Sequence, residues 1–456
     1  MSVEPMSCVA KPTVERVKRF GQWLPYTPDI EGALEADVYL MSKARKKEST
    51  LFAGYALACT DPVMGPKRQY LYLSSLACLR AKMLEANGRV PFARRLSLHQ
   101  IMTASQQYKI LINLGEPVSV YKVPKDSGLA WRTIHDFGLV ARGAQRMANA
   151  VLRETFTPAP FQYTSLGVHA AIHEALRLIT QEGYSWVSEL DINSHYQSFV
   201  IESLVESLPL PKGAVTQIVG ATSANWVMGN TSPYSFIHHT HPTPSGIPAG
   251  SATSTAVAEW SVSHLAFDEA TDIALVNYAD NFFLFDKSSA ALVNALEALR
   301  AAIKALPGGV FNTHPIAGAP GSIRHVAAGF GMLGCKVYSS EGGLLVEPSE
   351  TSLKELEGRF WLEEQVVVQW LRSAELTQEQ ELRREGVRAF LALRSYVQSW
   401  LAAHSMCTDI DIIGQEYTWQ LSSIRGDFQL SDVELVGEED PSTCAKYYPS
   451  STRMGA

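Results

Sequence analysis

The sequence predicts an α+β fold, with helical segments at both ends and a middle in which strands and helices alternate. Three observations lead to it. Residues up to about 115 place apolar side chains at three-and-four spacing in segments such as LYLSSLACLRAKMLEA, the period of a helix with one buried face. From Tyr121 short β-prone runs appear, first YKVPKDSGLAWRTIHDF and later WVSELDI and DIALVNYADNFFLF, bounded by turn-forming residues. Beyond residue 350 the pattern is helical again, from SLKELEGRFWLEEQ to FLALRSYVQSWLAAH, with Trp, Leu and Val on repeating faces. No internal repeat or low-complexity segment interrupts this order.

The 456 residues, 46% of them hydrophobic, suffice for about three domain-sized units with filled cores. The texture divides them into a helical extension (1–115), a mixed central unit (116–345) and a helical unit with a tail (346–456). No run of about 18 apolar residues predicts a membrane span. The N-terminal MSVEPMSCVAKPTVERVKRF lacks the apolar stretch of a signal peptide, so a cytoplasmic address is expected. Six cysteines without a CxxC pair suit free thiols and argue against structural zinc.

A net charge of −7 runs against a nucleic-acid binder, whose non-specific affinity comes from neutralising phosphates. The charge is uneven, however. Lys43, Arg45, Lys46 and Lys47, then Arg94 and Arg95, and the stretch from Lys122 to Arg146 are basic-rich, while Asp432, Glu434, Glu438, Glu439 and Asp440 make the tail acidic. Solvated helix faces are the plainer reading of each cluster; a local basic groove is the functional one.

The chemistry-bearing candidates are Asp191, closing one apolar strand, and Asp280, at the tip of a hairpin whose two apolar runs break at Ala-Asp-Asn. Nucleotidyl transfer needs two hard divalent ions held by carboxylates and phosphate oxygens. Two carboxylates at neighbouring strand ends would meet that need, although an Asp after a strand is by itself more often a turn residue.

Around these residues lie motifs in an order that resembles the reverse transcriptases, including group II intron enzymes and free-standing bacterial relatives associated with retrons and phage defence. The resemblance covers roughly residues 120 to 340. KDSGLAWRTIHDF is similar to the fingers motif in which a Lys and an Arg grip the incoming triphosphate, with Lys125 and Arg132 at the matching positions. SELDINSHYQSF resembles the first palm motif, implying Asp191 as metal ligand, Ile192 as a carbonyl donor and Tyr196 as the steric gate that excludes a 2′-hydroxyl. GIPAGSATSTAVAEW resembles the second palm motif, in which Gly250 and Ser251 approach the nucleotide. Tyr278, Ala279, Asp280 and Asn281 stand where the third motif has Tyr-x-Asp-Asp, and Leu333 with Gly334 resembles the primer-grip turn.

The chain also departs from that pattern. Ala249 replaces the usual Gln, Asn281 the second carboxylate, and no Lys precedes the primer-grip segment, where His314 is the available acid or an uninvolved loop residue. The resemblance implies a right-hand polymerase fold of fingers, an antiparallel palm and a short helical thumb, behind an N-terminal helical extension. It further implies an RNA-directed DNA polymerase using two Mg²⁺ ions, with Mn²⁺ as an alternative. Its partners would be an RNA template, a structured noncoding RNA included, a DNA or protein primer and deoxynucleotides, but no membrane, with homo- or hetero-oligomers left open. No endonuclease, zinc-ribbon or RNase H segment is expected after the thumb, which fits a free-standing bacterial enzyme of antiphage defence. An RNA-dependent RNA polymerase and a catalytically weakened RNA-binding scaffold or toxin are the competing expectations. His238, His239 and His241, and His169 with His173, lack the Cys or carboxylate that would complete a zinc site. A covalent priming role for Tyr447 or Tyr448 and a phosphate loop at GAPGS are likewise set aside.

Overall fold

The structure is a computed structural model. It describes residues 16–19, 22–25, 27, 33–90, 95–124, 131–228, 245–267, 273–313, 323–340, 343–431 and 435. A hairpin of β1 (Arg16–Arg19) and β2 (Gln22–Pro25) comes first, an element no periodicity announced. Four helices follow: α1 (Glu35–Ala56), α2 (Met64–Leu73), α3 (Leu76–Asn87) and α4 (Leu98–Gln107). Side-chain caps fix two of their starts. Ser75 Oγ accepts the Cys78 N–H, and Ser97 with Gln100 forms a capping box, each satisfying N–H groups that the first helical turn leaves open.

The central region runs β3 (Pro117–Pro124), β4 (Trp131–Phe137), α5 (Leu139–Arg153), α6 (Val168–Gln181) and β5 (Trp186–Asp191). A 3₁₀ turn (His195–Ser198), α7 (Ile201–Ser207) and α8 (Lys212–Ala214) come next, the last running on into a π-helical turn, Val215–Val219. Then follow β6 (Asn225–Met228), α9 (Ser254–Val262), β7 (Ala274–Tyr278), β8 (Asn281–Asp286) and α10 (Ser289–Lys304). β9 (Ile323–His325), β10 (Phe330–Met332), β11 (Cys335–Ser340) and β12 (Gly343–Pro348) lead to the long helices α11 (Glu350–Thr377), α12 (Gln380–Ala403) and α13 (Ile410–Asp427).

These strands make an antiparallel sheet ordered β7-β8-β5-β9 and a separate sheet β4-β3-β6 in which β3 and β6 are parallel. A third sheet, β10-β11-β12, precedes the C-terminal helices. The four-stranded sheet is buried on both faces. Leu190, Phe282 and Leu284 enter a core shared with α5, α9 and α10, whereas Val187, Val276, Phe283 and Phe285 enter a second core with α6 and β10–β12. Alternation along each strand sends successive side chains to opposite faces, which is why both cores draw on the same short strands. The N-terminal helices share the first core, and the Tyr55 hydroxyl donates to the Val151 carbonyl of α5 at 3.2 Å. α11–α13 enclose a third core built on Leu371, Phe390, Leu393 and Trp400.

Candidate active site at the strand ends

In the four-stranded sheet Asp191 is registered opposite Asn281, and Asn281 opposite Tyr278. Directly opposed residues of adjacent strands share a face, so Tyr278, Asn281 and Asp191 form one row at the sheet's end. Opposed Cα atoms in antiparallel pairs lie about 4.5–5.5 Å apart. Asp280 is one residue beyond that row, and the Ile192 N–H donates to its carbonyl at 3.0 Å. The fold thus brings Asp191, Ile192 and Asp280 to one edge.

The tip itself is a two-residue loop, Ala279–Asp280, between β7 and β8. Ala279 has φ +54°, a left-handed conformation that costs a residue with a Cβ about 1–2 kcal/mol. Three contacts hold it. The Ala279 N–H donates to Thr164 Oγ1 at 2.7 Å, and the buried Asn277 side chain donates to the Ala279 and Asn281 carbonyls, each at 3.0 Å. The Asn277 main chain pairs with Phe161 and Tyr163, which satisfies the outer edge of β7 at that residue. Asn281 Nδ2 donates to Asp280 Oδ1 at 3.2 Å, which orients the carboxylate with an amide where a second acid would repel it.

Glu189, two residues before Asp191 and hence on the same face, is a third acid at this edge. Although Glu189 is solvent-exposed, desolvation by the surrounding chain and then the Asp191 charge hold its carboxyl above the usual carboxylate range, with Arg324 on β9 opposing them. Glu189, Asn277 and Thr164 are not among the candidates that the sequence predicts. Strand parity carried a signal for Glu189, and a lone Asn inside an apolar strand carried one for Asn277; Thr164 had none, because its partner lies far along the chain.

Tyr196 is brought against the glycine-rich turn. Its carbonyl accepts the Ile247 N–H at 2.9 Å, and its hydroxyl lies 3.5 Å from Thr255 Oγ1 on α9. Gly246, at φ +72°, has no room for a side chain: a Cβ there would lie 2.2 Å from the Tyr196 carbonyl oxygen. Burial, and next the neighbouring Tyr196, raise the Tyr278 phenol, so both tyrosines border one space. Gly250, at φ +95°, packs on β4, where a Cβ would lie 2.6 Å from the His135 carbonyl oxygen. His135 N–H donates to Ala249 O at 3.0 Å. Ser251 is buried, with its Oγ 2.8 Å from Thr253 Oγ1 and accepting the Thr253 N–H, so its hydroxyl serves the start of α9.

Arg132 sits on β4 opposite Val123, on the strand that meets the turn through His135. Lys125, His314, His238, His239, His241, GAPGS, Tyr447 and Tyr448 lie outside the described residues. Leu333 and Gly334 form the two-residue tip of the β10–β11 hairpin, at φ +51° and +84°. Leu333 borders the same core as Tyr278, and the Gly334 carbonyl accepts the Ser349 N–H at 2.8 Å. His169 is engaged elsewhere, its Nε2 2.8 Å from the Ala403 carbonyl oxygen.

Among the described residues no group of three or more His, Cys, Asp or Glu side chains is arranged to hold a metal by itself. The donor chemistry nonetheless fits Mg²⁺, which takes one or two carboxylates and completes its octahedron with water and substrate phosphates rather than with an all-protein cage. Asp191, Asp280 and the Ile192 carbonyl supply hard oxygens of that kind.

No protein-family model matches the chain, and no curated protein sequence matches it. Among solved structures, telomerase from Candida albicans in complex with a TWJ fragment of telomeric RNA is similar over 73% of this chain and 65% of that one, at 11% sequence identity and a TM-score of 0.33. The chain thus spans somewhat less than two thirds of that telomerase.

Proposed function

We propose that the chain is a template-directed nucleotidyltransferase of the right-hand polymerase class, a reverse transcriptase that adds deoxynucleotides on an RNA template. The observation that carries this is the β5–β8 register, which sets Asp191 beside the Asp280 hairpin tip. In this reading β3 and β4 are the fingers, the four-stranded sheet is the palm, β10–β11 the primer grip and α11–α13 the thumb. Two bound Mg²⁺ ions, with Mn²⁺ as the alternative, would stabilise phosphate charge and lower the pKa of the primer hydroxyl. Asp191, Asp280 and the Ile192 carbonyl would hold them. Arg132 and Lys125 would grip the triphosphate, and the Tyr196 ring would exclude a 2′-hydroxyl.

Purified protein given each nucleotide pool with Mg²⁺ or Mn²⁺ tests the proposal. Deoxynucleotide incorporation is expected, falling roughly a thousandfold in Asp191→Asn and in Asp280→Asn because several kcal/mol of charge stabilisation are lost. Incorporation of ribonucleotides instead identifies an RNA polymerase. The second reading, a catalytically weakened RNA-binding scaffold, is favoured by Asn281 in place of an acid and Ala249 in place of an amide. Silence in every nucleotide and metal condition selects it.

A further inference from the structure

α3 and α5 meet closely at Gly143, where a Cβ would lie 2.6 Å from Met83 Cγ. This contact brings the end of α3 alongside the next turn of α5 and gathers arginines from both. Arg142 and Arg146, four residues apart, share one face of α5. Arg89 lies two residues beyond the end of α3, and Arg95 folds back over the same turn, donating to the Val90 and Gly88 carbonyls at 2.9 and 3.2 Å. Asp136 pairs with Arg142, whose Nε also donates to the Phe137 carbonyl at 2.7 Å, Glu116 acts on Arg142 from the start of α5, and Glu85 is shared with Lys82 at 3.2 Å.

Arg146 is the telling member. It is partly buried, yet it makes no hydrogen bond or ion pair among the described residues. Burial, then Arg89, and less strongly Arg142 bring its guanidinium down to about 10, against the opposing pull of Glu85. An unpartnered, partly desolvated charge beside like charges is unfavourable for the free protein. An arriving anion would relieve it. The cluster lies one residue from Gln145, whose side-chain oxygen accepts the Ala252 N–H in the turn that packs on Tyr196, so it flanks the candidate site.

We propose that Arg89, Arg142 and Arg146 form a phosphate-binding cluster that holds the sugar-phosphate backbone of single-stranded nucleic acid at the α3–α5 junction. Guanidinium forks match phosphate oxygens in pairs. The choice of nucleic acid as the anion rests on the polymerase reading, so the test keeps the two apart.

Fluorescence anisotropy of a short labelled single-stranded RNA, with the full chain in EDTA and without nucleotides, reads binding alone. The Arg89→Gln/Arg146→Gln variant is expected to bind roughly ten- to a hundredfold more weakly. The slope of log affinity against log salt should become shallower by about 1.4, since each phosphate contact on a single strand contributes about 0.7. Binding is read without metal or nucleotide, so failure of incorporation and failure of this cluster are separate results. Thermal unfolding of Arg146→Gln gives a second readout. Loss of an unpartnered partly buried charge should leave the midpoint unchanged or raise it while affinity falls. Unchanged affinity and salt slope in a double variant that unfolds cooperatively overturns the proposal. So does a lowered midpoint in Arg146→Gln with binding intact, which marks the charge as structural.

Discussion

Asn281 governs how much negative charge the candidate site carries. Its amide donates to Asp280 while Asp191 stands opposite and Glu189 lies nearby on the same face. Asn281→Asp would replace that donor with a further carboxylate, which favours a divalent ion and disfavours the ion-free protein. In the proposed reaction the half-saturating Mg²⁺ concentration should fall roughly tenfold, and the unfolding temperature in EDTA should drop; a metal titration in which the midpoint does not move would remove Asn281 from the proposed ion site. His195 makes a prediction of the opposite pH sense from an ordinary surface imidazole. Tyr196, Phe199 and Phe311 surround its ring at centroid distances of 5.9, 5.4 and 5.7 Å, and its Nε2 has no partner among the described residues. Burial brings its pKa down to about 4, against about 6.5 in an unfolded chain. The unfolded state therefore takes a proton that the folded state refuses. The contribution to stability is complete above about pH 6.5 and is lost as pH falls toward about 4, amounting to about 3 kcal/mol. Urea unfolding across that window should show the loss in the wild type and its near-absence in His195→Phe.

At the scale of elements, α5 is tied to α9 through an ion pair, Arg153 to Glu259 at 2.8 Å, with the Glu259 side chain wholly enclosed. Arg153→Met would leave that carboxylate buried without its partner, a change that costs about 3–5 kcal/mol. Arg153→Met/Glu259→Leu should recover most of it, which denaturant titration of the three proteins will show. The elements themselves were largely legible: the β5 run ending in Asp191, the Asp280 tip, the arms of the β3–β4 hairpin and the turn into α9 all follow from alternation and turn chemistry over a few residues. What the sequence hid depends on partners far along the chain. Glu116 accepts the Val140 and Ala141 N–H groups at the start of α5, at 3.2 and 2.7 Å, a cap supplied from more than twenty residues away rather than from the usual neighbouring position. The parallel pairing of β6 with β3, the tie from Asn277 to its own hairpin tip and the Thr164 contact were hidden for the same reason. Ser251 shows the limit of a motif, since its position was anticipated but its hydroxyl is spent on Thr253.

For the whole molecule, the separation of cores sets how it should come apart. The N-terminal helices and the sheet share one continuous core, while α11–α13 close around their own. The two are joined through the β10–β12 sheet and the segment after α12, where His404 bonds Ser352 at 3.0 Å and Cys407 lies 3.8 Å from Cys335. Few apolar groups cross that junction, so the C-terminal helices should open as a cooperative unit at lower free energy than the sheet. Leu371 is the place to weaken them selectively: it is fully buried and packs against Gly386, where a Cβ would lie 2.5 Å from its Cδ2. Leu371→Ala should cost about 2–5 kcal/mol, and native-state hydrogen exchange should show the loss throughout α11–α13. The amides of β5, β7 and β8 should keep their wild-type protection. Equal loss of protection in both regions would mean that the cores unfold as one, and that the C-terminal helices cannot open without disturbing the strand ends that carry Asp191 and Asp280.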